Sequence, residues 1–164
     1  MIGNLSLPQC YKIVDATAGP VTTNGGVTCD YVSLKNYKKA WLVLQFTQAV
    51  GHATLITPMV ATAVAPTGAV AITFATRIWA NEATGTDDTL VRQTDAVTYT
   101  LTNDIAKKQV IIEFDPGEIV GQGMTFDCIG CVITTSGQGT NFVSGQYFLE
   151  AQYQQATPPS AIVD

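Results

Sequence analysis

The stretch Ala40-Trp-Leu-Val-Leu-Gln-Phe46 has apolar side chains at both parities of an extended segment. Because successive side chains of a strand point to opposite faces, one face carries Trp41 and Val43 and the other carries the two leucines and Phe46. A strand that is apolar on both faces is either central in a two-layer core or covered by a neighbouring chain. The sequence leaves both alternatives open.

Period-two alternation recurs on both sides of this stretch. The clearest windows are Val27–Tyr31, Val70–Ile78, Val97–Leu101 and Val143–Tyr153. They are rich in Thr and aromatic residues, which suit a pleated surface, and turn residues separate them, as in Asn24-Gly25-Gly26 and Asp115-Pro116-Gly117. The best helical segment, Asp104–Lys108, allows at most one turn.

This pattern predicts an all-β fold, an antiparallel β-sandwich of jelly-roll type with about eight strands and very little helix. With 164 residues, the chain is expected to form one domain that spans residues 1–164. The two ends differ from the middle. Residues 1–8 are apolar and uncharged, and residues 157–164 are Pro-rich with an apolar finish. They are either frayed termini or extended arms that lie on another subunit.

Composition narrows the range of partners. Only 13% of the residues are charged, against about 25% in a typical globular protein, and such surfaces associate readily. The net charge is −5 and the densest basic group is Lys35, Lys38 and Lys39, so no nucleic-acid partner is expected. The most apolar stretch, Met59–Ala75, is shorter than the roughly 20 residues of a membrane-spanning helix and is interrupted by Pro66. No secretory signal is evident at the start. We therefore expect no membrane partner.

The pair Cys128-Ile-Gly-Cys131 is the most suggestive chemical motif. A four-thiolate zinc site usually needs two close pairs, and Cys10 and Cys29 are too far apart in sequence to be the second. The motif lies in a window typical of a strand, where positions three apart point to opposite faces unless a bulge intervenes. The preferred interpretation is therefore small buried hydrophobic residues, with a metal site or a disulfide as alternatives.

The other chemical groups point to no reaction. His52 is the single histidine, and no nucleophile motif surrounds it. Most carboxylates fall in turn segments, where their side chains bond to backbone amides. We therefore predict no catalytic residues, no cofactor and no metal, and we expect that the chain is not an enzyme.

Three segments resemble small structural proteins encoded in the head-gene regions of tailed phages. They are Asp30-Tyr-Val-Ser-Leu-Lys-Asn-Tyr-Lys-Lys-Ala-Trp-Leu-Val-Leu44, Ser144-Gly-Gln-Tyr-Phe-Leu-Glu-Ala-Gln-Tyr153 with Pro158-Pro-Ser-Ala-Ile-Val-Asp164, and, more weakly, Met124-Thr-Phe-Asp-Cys-Ile-Gly-Cys-Val132. Together they contain 41 of the 164 residues, a quarter of the chain.

The resemblance implies a virion structural protein, most specifically a decoration or cement protein that stabilises the phage head. It implies the major capsid protein as partner, a homo-oligomer (dimer or trimer), and a location on the capsid exterior, with the host cytoplasm as the site of assembly. The alternatives are a carbohydrate-binding module of a head or tail fibre, with exposed aromatics around Trp79–Asp88, and the main coat protein of a small virus.

Apolar ends and uncharged strand faces are the expected contact surfaces. The predicted interface residues are Ile2, Leu5, Leu7, Trp41, Pro158, Pro159, Ile162 and Val163.

Overall fold

The computed structural model describes residues 6–153 and 157–163. In those residues the chain forms thirteen strands and two short helices. In chain order they are α1 (Leu7–Cys10), β1 (Tyr11–Asp15), β2 (Val21–Thr22), β3 (Val27–Thr28), β4 (Val32–Ser33), β5 (Tyr37–Thr47), β6 (Leu55–Ala61), β7 (Val70–Ala71), β8 (Arg77–Asn81), β9 (Val91–Arg92), β10 (Tyr99–Thr100), β11 (Lys107–Phe114), α2 (Pro116–Gln122), β12 (Cys128–Ile133) and β13 (Phe142–Ala151).

The strands form two antiparallel sheets. The seven-stranded sheet has the order β1-β13-β5-β11-β8-β9, with β2 also paired to β13. The six-stranded sheet has the order β10-β6-β12-β3, with β4 also on β12 and β7 also on β6. Four strands of each sheet, β1-β13-β5-β11 and β10-β6-β12-β3, match the two sheets of a jelly roll in order and connection. The predicted all-β jelly-roll sandwich is confirmed, and β8 and β9 widen one of its sheets.

The core lies between the two sheets. In β5 the side chains of Leu42, Leu44 and Phe46 point inward, and they pack with Ile129 and Ile133 of β12. Each fully buried aliphatic side chain stabilises the fold by about 1.5–3 kcal/mol. One apolar face of the Ala40–Phe46 stretch is thus core, and the face that carries Trp41 and Val43 is turned outward and only half-buried.

The two cysteines of the Cys-Ile-Gly-Cys motif point to opposite faces of β12. The pairing of β12 with β6 runs without a bulge. Cys131 is part of the main core, whereas Cys128 packs with Tyr31 and Ala61 in a small cluster on the outer side of the six-stranded sheet. These two thiols therefore cannot ligate one metal ion. Burial raises the pKa of the Cys131 thiol, which keeps it protonated and weakly nucleophilic at neutral pH.

The helix of the middle region begins where a turn is predicted. Asp115 is the N-cap of α2, since its Oδ1 accepts a hydrogen bond of 2.8 Å from the Gly117 amide, and Pro116 follows at the first helical position. The prediction of a helical turn over Asp104–Lys108 is wrong, because Lys107 and Lys108 begin β11.

Lys108 is a fully buried lysine that ties the two sheets together. Its Nζ donates to the Thr102 carbonyl (2.7 Å) and hydroxyl (2.8 Å), and it lies 3.1 Å from Glu82 Oε2. Glu82 also accepts from the Tyr99 hydroxyl (2.6 Å) and the Thr102 amide (2.8 Å). The cluster therefore joins β8 and β11 of one sheet to β10 of the other.

The segment after the last strand lies against its own domain. The Ser33 amide donates to the Ala161 carbonyl (2.7 Å), and the Tyr37 hydroxyl donates to the Pro159 carbonyl. Pro158 and Ala161 are buried. Residues 157–163 are thus fastened beside β4 of the same chain.

Candidate interaction face

On the outward side of the seven-stranded sheet, which we call the outer face, strand register places several apolar side chains next to one another. The residues of this face follow from the pairings of β5 with β13 and β11, and of the flanking strands with these. Opposed residues on adjacent strands lie side by side on one face. Two adjacent rows are then Ile13-Phe148-Trp41-Glu113-Arg77 and Asp15-Gln146-Val43-Ile111-Trp79-Arg92.

Six of these side chains form a continuous diagonal stripe, which we call the apolar band. Its members are Ile13, Phe148, Trp41, Val43, Ile111 and Trp79. Ile13 is exposed at the edge, and the other five are half-buried. Strands lie about 4.8 Å apart and same-face residues about 6.8 Å apart, so the band covers about 200 Å² of sheet. This area is below the largest apolar patch of a typical monomer, about 300–600 Å². The arrangement of an apolar centre with a polar surround is the one found in protein contacts.

Glu113 organises the ionic part of the outer face. Its Oε2 lies 2.6 Å from Lys39 Nζ and 3.8 Å from Arg77 Nη1, and its Oε1 accepts a hydrogen bond of 3.0 Å from Trp79 Nε1. Burial alone would raise the pKa of Glu113. The hydrogen bonds from Lys39 and Trp79 and the two positive charges outweigh that effect and hold the pKa below its ordinary value. Glu113 is therefore ionised at neutral pH.

Each tryptophan of the apolar band has a cation beside its ring. Lys39 Nζ lies 5.1 Å from the centroid of Trp41, and Arg92 Cζ lies 5.7 Å from that of Trp79. Tyr11 contacts Trp41 edge-on, with 5.7 Å between ring centroids. Each of these contacts favours the ring orientation that the structure shows.

Uncharged polar groups border the apolar band. In the next row Ser144, Gln45 and Gln109 lie side by side, and Gln146 Nε2 donates to Asp15 Oδ1 at 3.1 Å. A shallow depression of about 270 Å³ opens among the side chains of this corner. Ser144, Gln45 and Gln109 can form hydrogen bonds with a partner without desolvation of a charge, whereas a contact over Asp15 would desolvate its carboxylate.

The predicted interface residues do not lie together. Trp41 is in the apolar band, while Leu7 is exposed in α1. In the C-terminal segment Pro158 is buried and Pro159 half-buried against the chain's own domain, whereas Ile162 and Val163 are exposed. Ile2 and Leu5 lie outside the described residues. That these positions form an interface stays a prediction.

The sequence points to half of the apolar band. The Ala40–Phe46 pattern contains Trp41 and Val43, and Trp79 is among the aromatic residues for which core or interface packing is preferred to a sugar platform. No sequence argument singles out Ile13, Ile111 or Phe148. The run Val110-Ile-Ile112 was an available signal, because, like Ala40–Phe46, it is apolar at both parities.

The groups considered for chemistry are dispersed. His52 Nδ1 lies 3.3 Å from the Thr54 hydroxyl, and its carbonyl accepts from Gln48 Nε2 at 2.6 Å. Among residues 6–153 and 157–163, no three His, Cys, Asp or Glu side chains are grouped so that they could hold a metal ion. No helix in the same ranges is long and apolar enough to cross a membrane.

Comparison with known proteins identifies no family. No family model and no curated protein matches the sequence. A similar solved structure is the crystal structure of the SPBc2 prophage-derived protein YomS, which is 8% identical and aligns with a TM-score of 0.48 over 85% of this chain and 91% of that chain. A likeness of this degree establishes neither a shared function nor a shared origin.

Proposed function

We propose that this chain is a virion structural protein that acts through protein–protein contacts, most specifically a decoration or cement protein on the head of a tailed phage. The observation that supports it best is the apolar band, a continuous strip of aromatic and aliphatic side chains on the outside of a sheet. The sequence resemblance to phage head proteins points in the same direction. Jelly rolls include viral capsid domains, but they serve many functions, so the fold agrees without deciding the matter.

In this proposal the protein strengthens the shell by adding buried area across joints between subunits of the major capsid protein. A stable contact buries on the order of 1,000 Å² or more in total. Many symmetric copies convert modest individual contacts into high avidity. A dimer or trimer of the chain would touch more than one shell subunit at once. The proposed location is the capsid exterior, reached from the host cytoplasm during assembly, and the proposal involves no catalysis, cofactor or nucleic acid.

A carbohydrate-binding module fits the aromatic side chains less well. Trp79 is the single aromatic residue between positions 79 and 88. Its Nε1 is engaged by Glu113, and Arg92 lies beside its ring. A sugar would have to compete with that cation for the aromatic surface. The aliphatic residues Val43, Ile111 and Ile13 also offer a sugar no hydrogen bonds, and they suit a protein partner better.

The test is quantitative mass spectrometry of purified virions of the virus that encodes the chain, with the major capsid protein as the internal standard. We expect hundreds of copies per particle. A few copies per particle would point to a fibre component, and complete absence from particles would overturn the proposal. Expression of the chain alone is the companion measurement, because closed shells formed without any other protein would instead identify a main coat protein.

A further inference from the structure

We propose that Cys29 and Cys131 become joined by a disulfide bond when the chain meets a small-molecule disulfide as oxidant, and that this bond fastens the β3 edge of the six-stranded sheet to β12. The structure holds both residues as free thiols. The sequence motif places Cys131 beside Cys128, whereas the fold pairs it with Cys29. The inference does not rest on the proposed function.

Strand register places Cys29 directly opposite Cys131. The ladder between β3 and β12 pairs Thr28 with Val132, so the next position along the same ladder pairs the two cysteines. The Cys29 amide donates a hydrogen bond of 2.8 Å to the Cys131 carbonyl, in agreement with that alignment. Directly opposed residues of antiparallel strands have Cα atoms about 4.5–5.5 Å apart, and disulfides bridge Cα distances of about 4.4–6.8 Å. The backbone therefore already holds the two residues at a separation that a disulfide can span.

The two thiols lie on the same side of the six-stranded sheet. Opposed residues on adjacent strands share a face, and both cysteines belong to the main core, where Cys29 is 1% and Cys131 0% exposed. Burial, and after it a hydrogen bond between the two thiols, raises the pKa of Cys131, so the sulfur atoms are direct neighbours. Cys128 belongs to the cluster on the opposite face, and Cys10 lies in α1. Cys29 is therefore the cysteine that the fold offers to Cys131 as a partner.

The oxidation is a thiol–disulfide exchange with a small disulfide such as oxidised glutathione. The thiolate of one cysteine attacks a sulfur atom of the small disulfide, whose S–S bond breaks, so that a mixed disulfide forms and one small thiolate leaves. The thiolate of the second cysteine attacks the protein sulfur of the mixed disulfide, forms the Cys29–Cys131 bond and releases the second small thiolate. The two cysteine protons end on the two small thiols. Both protein sulfurs are thus oxidised, and the small disulfide is reduced.

Burial determines when this exchange can occur. Both thiols are covered and Cys131 stays protonated in the closed structure, so the reaction has to start from a local opening. β3 has two residues and lies at the end of its sheet, and short edge elements open at a lower free energy than central strands. Cytosolic thiols are kept reduced, whereas disulfides persist in oxidising surroundings. We therefore expect the bond to form slowly once the chain leaves a reducing compartment, and to hold β3 on β12 from then on.

The experiment is oxidation of the native chain with an excess of oxidised glutathione, followed by trypsin digestion without reduction and mass spectrometry. Cleavage after Lys and Arg separates the cysteines, because Cys29 falls in residues 13–35 and both Cys128 and Cys131 fall in residues 109–164. We expect these two peptides to be linked to each other within a single chain. C128S and C131S are the matched variants, since each removes one fully buried thiol of β12. C128S should keep the link, and C131S should lose it.

Two further measurements separate a bond selected by the fold from random oxidation. Oxidation in denaturing urea should give a mixture that includes links to Cys10, because four cysteines allow three pairings when no fold selects among them. The native oxidised chain should have a Tm at least about 5 °C above that of the reduced chain, because the bond closes a loop of about 100 residues in the unfolded state. Reduction with dithiothreitol should restore the lower Tm.

Three outcomes would overturn the inference: a Cys29 thiol that stays free while the partly exposed Cys10 reacts, a link of equal yield in C131S, or an oxidised chain no more stable than the reduced one. A bond between Cys128 and Cys131 would overturn it as well. Circular dichroism shows whether each variant is folded. Where C131S is unfolded, the wild-type and C128S peptide maps decide, because absence of the link in either contradicts the pairing. These results are separate from the proposed function, which depends on the copy number in virions.

Discussion

Replacing Glu82 by Gln tests how strongly the buried ionic cluster holds the two sheets together. Lys108 has no exposed side-chain surface and Glu82 keeps 22% of its own. Breaking a fully buried ion pair by removing one partner costs about 3–5 kcal/mol, because the remaining charge is left uncompensated. Because Glu82 is partly exposed, we expect a smaller loss than this, about 2–3 kcal/mol. For a domain of this size that loss lowers Tm by about 5–10 °C.

The assay is urea and thermal unfolding of the wild type, E82Q, K108M and the double variant. The double variant should be less destabilised than the sum of the single changes, by at least about 1 kcal/mol, because it leaves no unpaired charge behind. Loss of less than about 0.5 kcal/mol in E82Q, or strict additivity in the cycle, would refute the account of this cluster.

The same cluster gives a pH dependence with a defined sign. Burial raises the pKa of Glu82, but hydrogen bonds from Thr102, Tyr99 and Lys108 outweigh it, and the net pKa lies below the ordinary value of 4.5. The unfolded chain then binds the proton more tightly than the folded one. The stabilisation of the fold by ionised Glu82 is complete above the pKa that Glu82 has in the unfolded chain. It is lost as the pH falls through the pKa that Glu82 has in the folded chain. The difference in stability between wild type and E82Q should therefore shrink in acid, and a difference that grows in acid would contradict the assignment.

Three smaller predictions concern single positions. G130A should destabilise the fold by about 1–3 kcal/mol in urea unfolding, since a Cβ at this position would lie 2.5 Å from the Tyr31 ring; a neutral effect would mean that the ring moves freely. D115A should cost about 1 kcal/mol by removing the cap of α2, whereas D115N should cost less, and equal losses would exclude capping. Y37F removes the hydrogen bond to the Pro159 carbonyl, so proteolysis within residues 157–163 should become faster; an unchanged rate would show that this bond does not fasten the segment.

The class of fold could be predicted from the sequence because it depends on local patterns. Alternation in windows such as Val97–Leu101 and Val143–Tyr153 identifies strands without knowledge of their partners. The wrong helical turn at Asp104–Lys108 has a tertiary cause. The local sequence around Lys108 is that of a surface residue. In the structure Lys108 belongs to β11, and its side chain is buried against Glu82, which is distant in sequence, and Thr102, which precedes the segment.

The candidate site could be predicted only in part. The double-sided apolar pattern of Ala40–Phe46 did point to Trp41, which is in the apolar band. Most of the other members lie on β1, β13, β11 and β8. The alignment of these strands with β5 brings them together, and that alignment depends on residues far apart in the sequence, so no local pattern predicts it. The C-terminal segment shows the same limit. Its sequence does not tell whether the chain's own domain or another subunit covers it, and in the structure Pro158 and Ala161 are buried against the chain's own domain while Ile162 and Val163 are exposed.

Chemical labelling of tryptophan can measure directly whether a partner covers the apolar band. The chain has two tryptophans, Trp41 and Trp79, and both lie in the band. Tryptophan-selective chemical labelling would compare dilute protein with purified virions. We expect both residues to be labelled in dilute protein and protected in the particle-bound form. Equal labelling of Trp41 and Trp79 in both samples would contradict the central claim that this face works by contact with protein.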